Sequence, residues 1–309
     1  MIGTNGKKCT KAFSMIKKIK RSALDLEKYT ACLQHSINYR VYAEYWYLDT
    51  LTNSQWDCLV LNDYEAIMPL PYQKKLGFKI IAQPLYCQQL GIFYTNQVTS
   101  DQFNAFLKQF SKNIVRGYHF NEENRGFFKD NTSTKINQIL DLNLDYSVYR
   151  TTIRKNRKQE LNKGLPLHHR IIQSDSDLYF LELLQNEYKS LQKQLNLKQL
   201  IPLIKAVQAE KIGITITIFM KNEAVASSFY IKSGNRLIQL CNSKKLNSLY
   251  NYNTYIVDYM IQMYQNQNMI LDFEGSSLKG VNNFNASFRA TTKEIPIYKS
   301  KFLEMINFS

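Results

Sequence analysis

The apolar residues of this chain change their period several times, and each change marks an element. From Asp25 the spacing predicts a helix to about His35, and the aromatic-rich Val41–Leu51 (VYAEYWYLDTL) reads as a short helix or a strand–helix junction. Short apolar runs then alternate with turn residues. Trp56–Leu61, Glu65–Tyr72 and Phe78–Leu85, separated by Asn62-Asp63 and by a basic turn ending in Gly77, predict a meander of strands. Helical spacing returns over Gln97–Ile114, with Phe103, Phe106, Leu107 and Phe110 on one face and Thr99 or Ser100 as N-cap. A strand region is expected near Tyr118, followed by a polar stretch, Asn121–Ser133. Ile136–Leu144 then leads into YSVYRTTIRKNRKQELNKG, the junction between two halves.

The second half repeats the order. Ser176 or Asp175 caps an amphipathic helix with Leu181, Leu184, Tyr188, Leu191 and Leu195 on its apolar face. Strands Ile214–Met220, Glu223–Tyr230 and Arg236–Asn242 follow, then a helix over Asn253–Gln265 and a strand over Met269–Glu274. Glu65–Tyr72 aligns without a gap on Glu223–Tyr230, an offset of 223 − 65 = 158 residues, and the flanking turns agree. Duplication explains this better than a chance likeness between two meanders. Pro69 and Pro71 lie inside the first copy's strand, and proline cannot donate to a ladder. This strand is therefore an edge, a bulge or one side of a splayed pair.

A length of 309 residues predicts two domains, and 44% hydrophobic against 21% charged residues excludes a disordered chain. The excess of 40 Lys and Arg over 25 Asp and Glu, +15, points to an anionic partner, although a Lys-rich composition alone gives the same sign. Lys and Arg crowd residues 1–21 with no acid before Asp25, which reads as a solvated arm or a weak peripheral membrane contact. Five scattered cysteines suggest neither a disulfide framework nor a zinc site, and a reducing compartment fits them. No apolar run has the length of a membrane span and the start lacks a signal-peptide core, so a cytoplasmic location is expected.

Candidate chemistry concentrates near the end of the second copy. Strand alternation puts Asp272 and Glu274 on one face, ahead of Gly275, Ser276 and Ser277 and a Lys279-Gly280 turn able to offer backbone N–H groups to an anion. Two readings stand: the carboxylates fix the turn, or one of them has a raised pKa and works as a general base. Thr151–Gly164 reads as a short helix with Arg154, Arg157 and Lys158 on one side, either a phosphate grip or a solvated face. Tyr47 and Asp49, with Gln88 and Gln89 in QQLGIF, line a pocket or belong to an aromatic core. His168-His169 lacks an i, i+4 partner, so no metal site is expected, and G-x-S-x-G, Walker, G-x-G-x-x-G and H-E-x-x-H motifs are absent.

The pieces YAEYWYLD, EAIMPLPY, QPLYCQQLGIF, RTTIRKNRKQELNKG and above all LDFEGSSLKGVNNFNASF resemble the double-GNAT proteins related to the Fem peptidoglycan aminoacyltransferases. The likeness spans about residues 15–300. It implies an α/β (α+β) chain of two tandem GNAT-like domains, each a splayed mixed β-sheet flanked by helices. The boundaries would be a basic extension over 1–14, domain 1 over 15–149 and domain 2 over 150–309, the C-terminal strand packing back on domain 1. The resemblance implies transfer of an aminoacyl or acyl group from an activated ester to an amine acceptor, of the peptidoglycan-precursor kind. Asp272 and Glu274 become the catalytic candidates; Ser276, Tyr47, Asp49, Gln88, Gln89, Arg154, Arg157 and Lys158 become substrate-binding ones. The chain has Asn242–Thr254 (NSKKLNSLYNYNT), without glycine, where ordinary GNAT enzymes hold the coenzyme A pyrophosphate on a glycine-rich loop. Aminoacyl-tRNA is therefore the expected co-substrate, acyl-CoA the alternative, and a non-catalytic basic binding protein the reading from another class. Phe288-Arg289-Ala290 departs from the F-G-A expected of relatives.

Overall fold

The computed structural model describes residues 15–191, 196–246, 248, 250–275 and 278–300. The expected extension 1–14, Leu195, Ser276 and Ser277 lie outside them. Within the basic start, Ile16–Lys20 is not an arm but strand β1, antiparallel to β2 (Trp56–Leu61). Between them lie α1 (Leu26–Gln34), N-capped by Asp25 through Lys28 N, and α2 (Tyr45–Thr52), which settles the aromatic stretch as helix. Asp49 on α2 accepts from both Arg21 and the Trp56 indole, so it anchors the end of β1 and the start of β2.

The meander continues with β3 (Ala66–Lys75), β4 (Phe78–Ala82) and the short β5 (Phe93–Tyr94). The capping box Thr99–Gln102 then opens α3 (Ser100–Phe110), which buries Phe103, Phe106 and Phe110. The helix ends at Phe110 rather than Ile114, which instead opens β6 (Ile114–His119), parallel to β4. After β7 (Thr134–Asp141) come α4 (Tyr146–Thr152), α5 (Lys155–Lys163) and β8 (His169–Ser174). The second copy runs α6 (Leu178–Leu191), α7 (Leu197–Ala209), β9 (Gly213–Met220), β10 (Glu223–Ser233), β11 (Arg236–Lys244), α8 (Tyr252–Tyr264), β12 (Ile270–Asp272), α9 (Lys279–Ser287) and β13 (Thr291–Tyr298).

The strands join in one sheet ordered β1-β2-β3-β4-β6-β13-β7-β12-β11-β10-β9-β8, with β5 on β3. Read from its two ends, this order is the same arrangement twice: an antiparallel meander of four strands and then a parallel pair, β4 with β6 and β11 with β12. Glu65–Tyr72 and Glu223–Tyr230 occupy the third strand of each meander, where the gapless alignment puts them. The last strand of each copy is exchanged. β7 pairs with β12 of the second copy, β13 pairs with β6 of the first, and the two pair with each other through six residues.

The prolines mark a local opening. Tyr72 N donates to Gln55 O on the β2 side, so strand alternation turns the N positions of Pro71 and Pro69 to the opposite side. There the chain leaves β3 after Ala82 and rejoins it only at Phe93, so no ladder donor is missed. The Tyr118 hydroxyl bridges the gap, donating to Pro69 O at 2.8 Å and accepting from Gly91 N at 3.0 Å. Tyr118→Phe leaves both backbone groups buried and unpaired and is expected to lower stability by about 1–3 kcal/mol, read as a shift in urea midpoint.

Two apolar clusters hold the sheet, and neither respects the midpoint of the chain. One joins α1–α3 to Phe180, Leu184, Leu200, Leu203, Ile204 and Val207 of the second copy's helices; the other packs α8 and Phe288 on β7, β9 and β12. Among the described residues no helix is long and apolar enough to cross a membrane.

Candidate functional site

β11 pairs with β12 only over Arg236–Ile238 and then runs on to Lys244, so the parallel pair parts beyond Asp272. A bulge at Leu240 accompanies the parting: Phe229 faces Cys241 and Tyr230 faces Gln239, leaving Leu240 without a partner on β10. Asp272 and Glu274 lie at the mouth of this opening, and the alternation that would carry them together stops at Asp272. The strand ends there, and Glu274 takes a left-handed φ of 56°, outside the strand conformation on which alternation depends. Glu274 N donates back to Asp272 Oδ1 at 2.9 Å, and Gly275 (φ 55°) follows with its Cα so close to Ile136 and Asn137 of β7 that no Cβ fits. The two carboxylates are separated by this turn into different surroundings.

Asp272 is fully buried in an ion cluster that joins the copies. Arg236 Nη1 donates to Asp272 Oδ2 at 2.8 Å and its Nη2 reaches Glu122, while Arg40 pairs with Glu123 at 2.8 Å and Glu122 at 3.5 Å. Asn137 Nδ2 supplies a second donor to Asp272 at 3.2 Å. Burial opposes the charge on Arg236, but Asp272, Glu122 and Glu123 outweigh it and hold the guanidinium charged. For Glu123, burial is likewise outweighed, by Arg40 and Arg236, and its pKa falls. Asp272 is thus bonded on both oxygens, Oδ2 by Arg236 and Asn137 and Oδ1 by the backbone N–H of the turn that carries Glu274.

Glu274 has the opposite environment. Its pKa is pushed up to about 7, first by burial and then by the charge of Asp272, against a hydrogen bond from the Tyr42 hydroxyl and the more distant Lys135. Tyr42 lies in the helical turn Val41–Ala43, and burial plus Glu274 keep its phenol protonated far beyond the ordinary range. Tyr47, Cys87 and Cys241 complete the surroundings within electrostatic reach of the carboxylate. Tyr42, Tyr47 and Cys87 come from the first copy, and Cys241 and Glu274 from the second. Gln88 joins them through its side-chain amide, which donates to Glu274 O, and Gln89 props Gln88 at 3.0 Å and accepts from Glu122 N. The Tyr47 hydroxyl donates to Tyr86 O and holds the same loop.

The basic helix α5 divides as well. Arg157 is buried against Phe284 and Phe288 and bonded to Glu160, Thr254 and Ser287, so it locks α5 to α8 and α9. Arg154 and Lys155 are exposed, and Lys158 reaches back to Thr151 O. Of the expected site residues the structure gathers Tyr47, Gln88, Gln89, Asp272 and Glu274, and leaves Asp49 and the α5 cations elsewhere. Tyr42, Arg40, Glu122, Asn137 and Arg236 were not singled out from the sequence. The GSS turn after Glu274 and the Tyr-rich YAEYWYLD were the only local signals for them. Among the described residues no group of His, Cys, Asp and Glu is placed to hold a metal ion.

No family model and no curated protein matches the chain. Solved structures do. FemX aligns over 94% of this chain and 99% of its own at TM-score 0.65 and 8% identity. The C-terminal domain of a putative lysylphosphatidylglycerol synthetase from Agrobacterium fabrum aligns over 88% and 90% at TM-score 0.59 and 8% identity. L-PGS from Bacillus licheniformis aligns over 90% and 92% at TM-score 0.56 and 11% identity. At such identities the likeness is one of fold.

Proposed function

Because the chain has the Fem-like double-GNAT fold, we propose that it moves an aminoacyl or acyl group from an activated ester donor to an amine acceptor. The observation that supports this most is a carboxyl of pKa about 7, Glu274, set at the parting of β11 and β12 among residues of both copies. In this reading Glu274 takes a proton from the acceptor ammonium, the freed amine attacks the ester carbonyl, and the leaving alcohol departs with a proton as the amide forms. Tyr42 holds the carboxylate in place, and Asp272 and Gln88 position it through the backbone of Glu274. Catalysis rests on positioning and charge rather than on a covalent enzyme intermediate.

The donor is read as aminoacyl-tRNA, and the acceptor as a cell-wall precursor met in the cytoplasm. The head of α8 favours this over coenzyme A. In place of bare glycine amides, Asn253 on its first turn is tied to Gln239 at 3.0 Å, which also bonds Tyr230 and Asn242. A net charge of +15 with Arg154 and Lys155 exposed suits a long polyanion. Native mass spectrometry of the full chain with charged tRNA, acetyl-CoA and longer acyl-CoAs is expected to give a tRNA complex and amide formation on an added amine. Stable complexes with acyl-CoA and none with tRNA would overturn the donor; tRNA binding without transfer would make the protein a binding module.

A further inference from the structure

The hairpin between β3 and β4 is built against the interests of the fold. Its two-residue turn, Leu76-Gly77, has both residues left-handed (φ 50° and 81°), the geometry of a type I′ turn, where Asn-Gly is preferred and a branched apolar residue is strained. Leu76 is nonetheless leucine, 91% exposed, and Phe78 beside it is 64% exposed. The matching hairpin of the second copy, between β10 and β11, uses Gly234 and Asn235 and carries Arg236 into the buried ion cluster. The first copy therefore retains two large apolar side chains at a tip where the same fold works with polar ones.

The surroundings define what the tip meets. Lys74 and Lys75 precede it and Lys79 follows, all three exposed, with the Lys79 ammonium on the buried Asp57 carboxylate at 2.9 Å. Ile114, opposite Ile80 on the neighbouring strand, extends the apolar strip on the face of Phe78. Behind the hairpin opens a cavity of about 580 Å³ lined by Gln73, Lys74, Gln83, Leu85, Arg116 and Asn196 among others, with no carboxylate in its lining. Apolar side chains at a convex tip, cations just behind them and an acid-free cavity match the layers of an anionic bilayer: acyl boundary first, phosphate headgroups next.

We propose that the β3–β4 hairpin docks the protein on an anionic phospholipid surface, with Leu76 and Phe78 entering the acyl boundary. A protein groove would offer the tip apolar contact but no reason for the lysines beside it and the acid-free cavity behind it, and a nucleic acid would have no use for the exposed leucine. The inference stands apart from the transfer chemistry.

Co-sedimentation of the full chain with phosphatidylcholine vesicles containing about a third phosphatidylglycerol is the test. Binding is expected to such vesicles, to weaken about tenfold or more on pure phosphatidylcholine or in high salt, and to weaken by a similar factor in Leu76→Asn/Phe78→Thr. Leu76→Asn suits the turn, so the double variant should melt no lower than the parent. Phe78→Trp should gain a blue-shifted emission on the anionic vesicles relative to the parent with its own two tryptophans. Failure of the parent to bind, or undiminished binding by the double variant, would overturn the proposal; the latter would move the contact to the basic residues 1–14 or to α5.

Discussion

Glu274→Gln is expected to lower turnover by about 10²–10⁴-fold with the fold retained, and to remove a rate rise centred near pH 7. A base acts deprotonated, so the parent rate should climb as pH passes through about 7 and then level off. The same raised pKa has a stability consequence of determined sign. The folded state binds this proton more tightly than the unfolded chain, whose Glu titrates near 4.5, so the stabilisation is full below that value and is lost as pH rises through about 7. Denaturation midpoints at pH 5 and pH 8 should therefore differ in the parent, and differ less in Glu274→Gln. Tyr42→Phe separates base from scaffold: loss of the hydroxyl that favours the carboxylate should move the rate rise to higher pH while keeping a plateau. A Glu274→Gln protein with unchanged turnover would remove Glu274 from the mechanism.

The fold was legible in the sequence because its signals are local. Strands of β-branched and aromatic residues between Asn and Gly turns, and the Thr99–Gln102 cap, follow rules that act over a few residues, and the 158-residue offset exposed the duplication. Elements that depend on distant partners were harder to read. β1 looks like a basic arm because its lysines line an edge and only Ile16 and Ile19 turn inward. β8 and β13 are similarly short of buried residues, and β13 is defined by pairing with β7 rather than by its own composition. At the site, period-2 alternation holds only to Asp272, where the strand ends, and the left-handed turn at Glu274 and Gly275 has no mark in the pattern of apolar residues. Arg236 and Glu122 are 114 residues apart, and neither carries a local mark of its partner.

Arg236→Met is expected to be the most damaging substitution for stability, by about 3–5 kcal/mol, because it strands charged groups that cannot reach water. Asp272 and Glu122 would lose the guanidinium that spans them, and Arg40, already committed to Glu123 at 2.8 Å, is a poor substitute. The loss should fall on both copies at once, since Glu122 belongs to the first and Asp272 to the second. Asp272→Asn in the same chain removes one of the stranded charges and keeps an acceptor for Glu274 N. The double variant should therefore be less destabilised than the sum of the two single ones, and the difference measures the coupling. Turnover distinguishes scaffold from chemistry: Arg236→Met should lose activity even at temperatures where it stays folded, because the turn carrying Glu274 hangs on Asp272. Urea midpoints of the three variants at pH 7, with transfer rates on the folded fraction, check both halves of the argument. An Arg236→Met protein within about 0.5 kcal/mol of the parent would mean that water or side-chain rearrangement rescues the cluster, and that the copies are held together by β7 and β13 instead.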